Sequence, residues 1–95
     1  MRVHVHRYSV EPEVFEEFLG RREAAIDAIR ALHPGLSRTT LVRLEDGSYT
    51  DTWQWDSAEE QGAAWASLSE LPETGAAMAL TTGGTAAGGE IVAVR

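Results

Sequence analysis

The chain has 95 residues, which is enough for one domain and leaves no room for a second. Eight basic residues against 15 acidic ones give a formal charge of −7, and this sign excludes a partner such as nucleic acid that is held through its phosphates. The chain has no cysteine, so disulfides, thiolate catalysis and cysteine-ligated metals are excluded as well.

The first segment, residues 2–9, alternates between two sides. Val3 and Val5 fall on one side and His4, His6 and Tyr8 on the other, which is the period of a half-buried strand. No apolar run reaches the roughly 18 residues that a membrane-spanning helix needs, and no signal peptide is recognisable here. We therefore expect a strand, no membrane association and a cytoplasmic location.

A helix follows, because Pro12 suits a first helical position and acidic residues fill the first turn. His33, Pro34 and Gly35 end it, since proline disfavours helical backbone in the residue before it. Arg22 falls on or beside the apolar side of this helix; its stem is expected to cover that surface, although the guanidinium could instead reach a ligand carboxylate. The apolar positions recur every three or four residues: Val14, Phe15, Phe18, Leu19, Ala25, Ile26, Ile29 and Leu32.

Two strands and a tight turn come next. Residues 36–44 are rich in β-branched side chains, residues 45–47 (Glu-Asp-Gly) are a hairpin turn signal, and residues 48–55 alternate again. The side chains expected on one face of the returning strand are Tyr49, Asp51, Trp53 and Trp55.

The last third of the chain is predicted to hold a helix, a loop and a strand. Ser57 followed by Glu60 is a capping signal for a second helix that Pro72 ends, with a further turn or two within residues 74–80. Residues 81–89 are rich in glycine and are predicted to form a mobile loop, either a lid over a pocket or a spacer. Residues 90–95 are predicted to be the final strand.

The predicted order is β-α-β-β-α-β, the α+β ferredoxin-like arrangement, in which two helices cover one face of a four-stranded antiparallel sheet. Apolar side chains occur on both sides of the predicted strands, so the second face needs a cover. A homodimer that packs sheet against sheet would supply it.

This chain resembles the antibiotic biosynthesis monooxygenase (ABM) family of dimeric α+β barrel proteins along nearly its whole length. The matching segments are the extended start at residues 3–10, the Pro-acid-Phe stretch at 12–18, the turn at 34–36, the hairpin, and the Trp-Asp-Ser-Ala-Glu junction at 55–59. The resemblance implies a dimer with a pocket between sheet and helices in each subunit. Members include oxygenases without organic cofactor or metal, and haem degraders.

The family's catalytic pattern is only partly present. Family oxygenases and haem degraders use an asparagine on the first strand, a tryptophan on the second helix and a nearby histidine. This chain has no asparagine, and all three of its histidines precede residue 34, so neither residue carries over. Trp65 resembles the family tryptophan but stands one residue later after Ser57 than expected, a rotation of about 100° on a helix. Haem degradation is therefore disfavoured.

The first strand supplies the candidate catalytic residues. A cofactor-free oxygenase needs a base that removes a phenolic or enolic proton before O₂ reacts, and an imidazole suits that task. His6 is the first choice and His4 the second, whereas a polar face turned to solvent or to the partner is the alternative. The two histidines could also bind a metal with Asp51 or Tyr49 as third ligand, but neither a metal nor another cofactor is predicted.

Polar and aromatic residues complete the predicted site. Tyr8, Tyr49 and Asp51 are expected to orient a substrate, while Trp53 and Trp65 would stack on an aromatic ligand or belong to the core. Two functions follow from the residues and the resemblance: a small-aromatic-molecule-binding protein that acts as a cofactor-independent monooxygenase on a phenolic or polycyclic substrate, or a non-catalytic binding or assembly module of the same fold.

Overall fold

A single four-stranded sheet organises the chain, and the computed structural model describes residues 1–95. Its strands are β1 (Arg2–Val10), β2 (Leu36–Arg43), β3 (Tyr49–Trp55) and β4 (Thr81–Glu90). They lie in the order β2-β3-β1-β4, and every neighbouring pair is antiparallel. The predicted ferredoxin-like α+β architecture is confirmed.

The helices lie on one face of this sheet. Helix α1 (Phe15–Leu32) follows a 3₁₀ turn at Pro12–Val14, and α2 (Ala58–Ser67) follows β3. The predicted cap of α2 is present, because the Glu60 amide donates to the Ser57 hydroxyl at 3.1 Å. A third helix, α3 (Pro72–Met78), starts at the proline that was predicted to end α2, because proline is well placed in a first helical turn. No helix combines the length and apolar character needed to span a membrane.

The prediction for the C-terminal region is wrong in both halves. The glycine-rich segment predicted as a loop is strand β4, and residues 91–95, predicted as a strand, lie outside every helix and strand. Backbone pairing explains both outcomes. Segment 81–90 lies alongside β1 from Val10 back to Arg2, whereas Ile91 donates to the carbonyl of Met1, where β1 has no further residue to pair with.

The alternation predicted for the strands decides which residues face the helices. His4, Tyr8 and Val10 of β1 are buried, while Val5 between them is exposed on the opposite face. Two apolar clusters fill the layer between sheet and helices. The first contains Ile26, Ile29, Leu36, Trp55 and Ala64, and the second contains Tyr8, Val10, Phe18 and Tyr49.

Candidate functional site

A cavity of about 360 Å³ lies between the sheet and the helices. Strands β1 and β3 form its floor, α1 one wall, and α2, α3 and the turn between them the rest. Most of its lining is apolar or aromatic, with only a few polar groups. The lining residues from the strands and α1 are His6, Tyr8, Asp51, Trp53, Phe18, Arg22, Ala25 and Ile29. Those from α2, α3 and the turn between them are Trp65, Leu68, Ser69, Thr74, Gly75, Ala77 and Met78.

Asp51 is the centre of the polar groups in this cavity. Arg22 donates to both of its oxygens, from Nε to Oδ2 at 2.9 Å and from Nη2 to Oδ1 at 2.7 Å. The Tyr8 hydroxyl donates to Oδ2 at 2.6 Å, and the Trp53 indole Nε1 donates to Oδ1 at 2.9 Å. Each carboxylate oxygen thus accepts two hydrogen bonds, which occupies about all of the acceptor sites that a carboxylate offers.

Burial strengthens the ion pair and the hydrogen bonds around Asp51. Asp51 is 4% exposed, and the side chain of Arg22 is 15% exposed. Burial by itself would lower the pKa of Arg22, but the hydrogen bonds and charge of Asp51 raise it above its usual value. Burial, followed by the contact with Asp51, raises the pKa of the Tyr8 phenol well above its ordinary value. Arg22 therefore stays charged and Tyr8 stays protonated.

His4 and His6 of β1 lie beside the side chains that contact Asp51, and their rings contact each other. Their ring centroids are 4.4 Å apart, and Trp65 packs edge-on against His4 at 4.2 Å. Burial is the largest cause that lowers the pKa of both rings; Asp51 opposes it at His6. Both imidazoles are consequently neutral at neutral pH, which is the form that can accept a proton.

Five of the seven predicted site residues line the cavity: His6, Tyr8, Asp51, Trp53 and Trp65. His4 does not; it is buried beneath Trp65, and its Nδ1 has no hydrogen-bond partner. Tyr49 does not either. It stacks on Phe15 at 5.1 Å and accepts a hydrogen bond from Arg43, because its place at the start of β3 puts it under the first turn of α1.

Asp51 and Arg22 pair with each other, which the sequence analysis did not predict. Asp51 was expected to orient a substrate, but its acceptor sites are already used within the chain. Arg22 was expected to cover apolar surface and instead forms an ion pair. A signal for this pair was present in the sequence: a charged residue four positions from Phe18 and from Ile26 lies on a buried helix face, where it needs a partner of opposite charge.

Sequence reasoning also missed the part of the cavity formed by α3. Thr74, Gly75, Ala77 and Met78 contribute to the lining, yet these small and flexible side chains carry no chemical signature in a sequence. No group of three or more histidine, aspartate or glutamate side chains is placed to hold a metal ion, so His4 and His6 lack the third ligand that such a site would need.

Comparison with known proteins gives matches among solved structures. No protein-family model and no curated protein sequence matches the chain. An asparagine-to-alanine mutant of SnoaB, a cofactor-independent oxygenase from Streptomyces nogalater, is 26% identical, with a TM-score of 0.79 over 98% of this chain and 94% of that one. The resemblance to the antibiotic biosynthesis monooxygenases is confirmed.

Two further solved structures with a similar fold contain bound ligands. A monooxygenase from the gene ActVA-Orf6 of Streptomyces coelicolor, in complex with nanaomycin D, is 17% identical, with a TM-score of 0.76 over 99% of this chain and 89% of that one. A mutant of MhuD with two manganese protoporphyrin IX molecules per active site is 22% identical, with a TM-score of 0.70 over 100% of this chain and 98% of that one. At these identities the likeness concerns the fold.

Proposed function

We propose that this ABM-like protein is a cofactor-independent monooxygenase that acts on a phenolic or polycyclic aromatic substrate. One observation carries the proposal: a neutral histidine, His6, lies in an aromatic cavity that also holds a fixed cation, Arg22. The similarity to SnoaB, which is a cofactor-independent oxygenase, supports the same reaction class.

The cavity is large enough for a small-molecule ligand. Its volume of about 360 Å³ lies within the range of roughly 300–1,000 Å³ that is usual for small-molecule sites. The ring centroids of Trp53 and Trp65 lie 6.4 and 6.2 Å from that of His6, and all three side chains line the cavity, so a ligand beside His6 would also be near both indoles. Aromatic ligands gain from stacking on such surfaces beyond simple burial.

The proposed chemistry begins with a proton transfer. The unprotonated nitrogen of His6 takes the proton of a substrate hydroxyl, or of an acidic carbon next to a carbonyl, and leaves an electron-rich anion. That anion gives an electron pair to O₂, forming a carbon–oxygen bond and a peroxide. The His6 cation returns its proton to the peroxide, and the resulting hydroperoxide loses water, with the hydrogen of the same carbon, to leave a carbonyl. One oxygen atom thus enters the product and the other leaves as water, so O₂ is the only oxidant needed.

The test is oxygen uptake by the purified protein with a panel of hydroxylated polycyclic aromatics, in the wild type and in His6→Ala. Removal of a general base typically costs about 10²–10⁴-fold in rate, so turnover should fall by at least about 100-fold without loss of folding. His33→Ala is the matched control, because His33 lies at the end of α1 on Ser67 and does not line the cavity. Unchanged turnover in His6→Ala would remove His6 from this role.

A second function, a non-catalytic binding module, is favoured by one observation: the chain has no asparagine and no histidine beyond residue 33. Tryptophan fluorescence separates the two functions. Saturable quenching that is lost in Trp53→Phe or Trp65→Phe, without any oxygen uptake, would identify a binding protein. Quenching together with uptake of O₂ would identify the enzyme.

We further propose that the protein works as a cytoplasmic homodimer. The sheet face opposite the helices exposes Val5 and Val42 among threonines, and it also carries the exposed Arg7 and Arg38. A second copy packed sheet against sheet would cover the two valines. The cavity lies on the other side of the sheet, so dimer formation would leave its lining unchanged.

A further inference from the structure

His4 is a buried titratable residue that the proposed reaction does not use. It is 8% exposed, it does not line the cavity, and its Nδ1 atom is fully buried without a hydrogen-bond partner. Nearly all buried polar atoms in proteins have a partner, because an unpaired one costs free energy that an apolar residue in the same place would avoid. Packing alone therefore does not explain an imidazole at this position.

The ring of His4 contacts two residues that do line the cavity. It meets the ring of His6 edge-on, with the centroids 4.4 Å apart, and the indole of Trp65 edge-on at 4.2 Å. His4 and His6 are two positions apart on β1, so their side chains leave the same face of the sheet. A change at His4 therefore acts on the proposed base by direct contact.

Protonation of His6 changes which hydrogen bonds the two rings can form. A neutral imidazole has one N–H donor and its cation has two, so the proton that His6 takes from a substrate adds a donor beside His4. The buried atom that lacks a donor is Nδ1 of His4. Its lone pair is available in the neutral tautomer that carries the proton on Nε2.

The charges around the two rings favour protonation at His6 first. Burial lowers the pKa of His6, but Asp51 of β3, which is paired with Arg22 of α1, opposes that shift. Burial also lowers the pKa of His4, and there the charges of His6 and Arg2 add to the shift. The indole that α2 packs on His4 does not titrate. His6 is therefore the ring that takes the proton, and His4 is the ring that stays an acceptor.

We infer that His4 is a positioning residue: its ring holds the ring of His6 in place, and its Nδ1 accepts a hydrogen bond from His6 once His6 has become a cation. This inference rests on the proposed function and adds to it a residue that acts through the base. The hydrogen bond exists only after the proton has moved. An interaction of this kind raises kcat without tightening the binding of the substrate.

The experiment follows the imidazole of His6 by proton NMR through a pH titration of the wild type and of His4→Phe. The phenyl ring can keep the edge-on contacts with His6 and Trp65, and it removes both nitrogens. A hydrogen bond to a charged group is worth about tenfold or more, so the pKa of His6 should fall by about one unit or more in His4→Phe. His33→Phe is the control: it makes the same exchange at a histidine that bonds to Ser67, and it should leave the titration of His6 unchanged.

Oxygen uptake then separates a positioning role from ligand binding and from packing. In His4→Phe, kcat should fall by about tenfold or more while KM stays nearly constant, because His4 does not line the cavity. His4→Asn places an amide group on Cγ, the atom to which Nδ1 is attached, and should recover kcat relative to His4→Phe. A purely structural role would give the opposite ranking, since asparagine loses both ring contacts.

An unchanged pKa of His6 in His4→Phe, or a KM that rises while kcat stays constant, would overturn the inference and leave the proposed function standing. Should the larger phenyl ring prevent folding, His4→Leu removes both nitrogens with a smaller side chain, and the same results are expected of it. A wild type that takes up no oxygen with any aromatic ligand overturns the proposed function, and the positioning role falls with it whatever the titration shows.

Discussion

At the scale of single residues, Asp51 connects the stability of the protein to its chemistry. Three side chains that are distant in sequence, Tyr8, Arg22 and Trp53, converge on one carboxylate. Loss of the carboxylate would leave the Arg22 cation without its counter-charge, and the Tyr8 hydroxyl and the partly buried Trp53 indole without their acceptor.

Asp51→Ala is therefore expected to lower the free energy of unfolding by about 3–5 kcal/mol, the range seen when one partner of a buried ion pair is removed. Urea unfolding followed by tryptophan fluorescence measures this change. Asp46→Ala is the control: Asp46 also pairs with an arginine, Arg7, but on the exposed hairpin, where water screens the pair, so this variant should lose much less stability than Asp51→Ala. Equal losses in the two variants would contradict the central role of Asp51.

The buried histidines make stability depend on pH. Because burial lowers the pKa of His4 and His6 in the folded protein, the unfolded chain binds protons first as the pH falls. Their contribution is complete above the ordinary pKa of 6.5 and is lost as the pH falls below it towards the folded-state values. Unfolding free energies between about pH 7.5 and pH 5.5 should fall less in His4→Gln/His6→Gln than in the wild type, and an equal fall in the two proteins would contradict this role of the two histidines.

The same direction of shift governs the proposed catalysis. Since the neutral form of His6 is the base, activity should rise with pH and reach its plateau through a pKa below the ordinary value of 6.5. The profile of kcat/KM against pH measures that pKa for the free enzyme. A half-maximum well above 6.5 would assign the base to another group.

At the scale of elements, short local signals predicted where helices begin and end. Ser57 caps α2 as its sequence indicates, and α1 ends before Pro34. These signals act through backbone groups within one turn, so the sequence alone contains them. Strand β4 is the opposite case, because its glycines and alanines have little strand propensity and its ladder depends on β1, more than 70 residues away.

The cap of α2 can be tested on its own. Ser57→Ala should lower the free energy of unfolding by about 1 kcal/mol, because the Glu60 amide loses its acceptor, whereas Ser57→Asp should keep the cap and most of the stability. Thermal unfolding of the three proteins measures the effect. If Ser57→Asp were as destabilised as Ser57→Ala, the loss would come from some contact other than the cap.

At the scale of the whole molecule, the two faces of the sheet carry different kinds of side chain. The face towards the helices carries the aromatic and titratable side chains of the cavity, whereas the other carries Val5, 37% exposed, and Val42, 44% exposed. The alternation of β1 and β3 separates these two sets, so a second copy and a ligand can be bound on opposite sides of one sheet.

Val5→Arg should therefore shift the protein from dimer to monomer in sedimentation velocity, because it places a charge in the centre of the proposed interface. Leu32→Arg is the matched control, since Leu32 is also exposed but lies at the end of α1. The control should keep the wild-type sedimentation coefficient. A wild type that sediments as a monomer at every concentration would overturn the proposed dimer.

The alternation of the strands, the cap of α2 and the hairpin, and from them the order of elements, can be predicted from the sequence because they depend on period and on neighbours within a few residues. The sequence also placed His6, Trp53 and Trp65 on the face that became the cavity. Three features follow from tertiary contacts instead: the four hydrogen bonds that Asp51 accepts, the place of Tyr49 in the core, and the strand at residues 81–90. Each of these depends on packing between segments far apart in the chain, which no local pattern encodes.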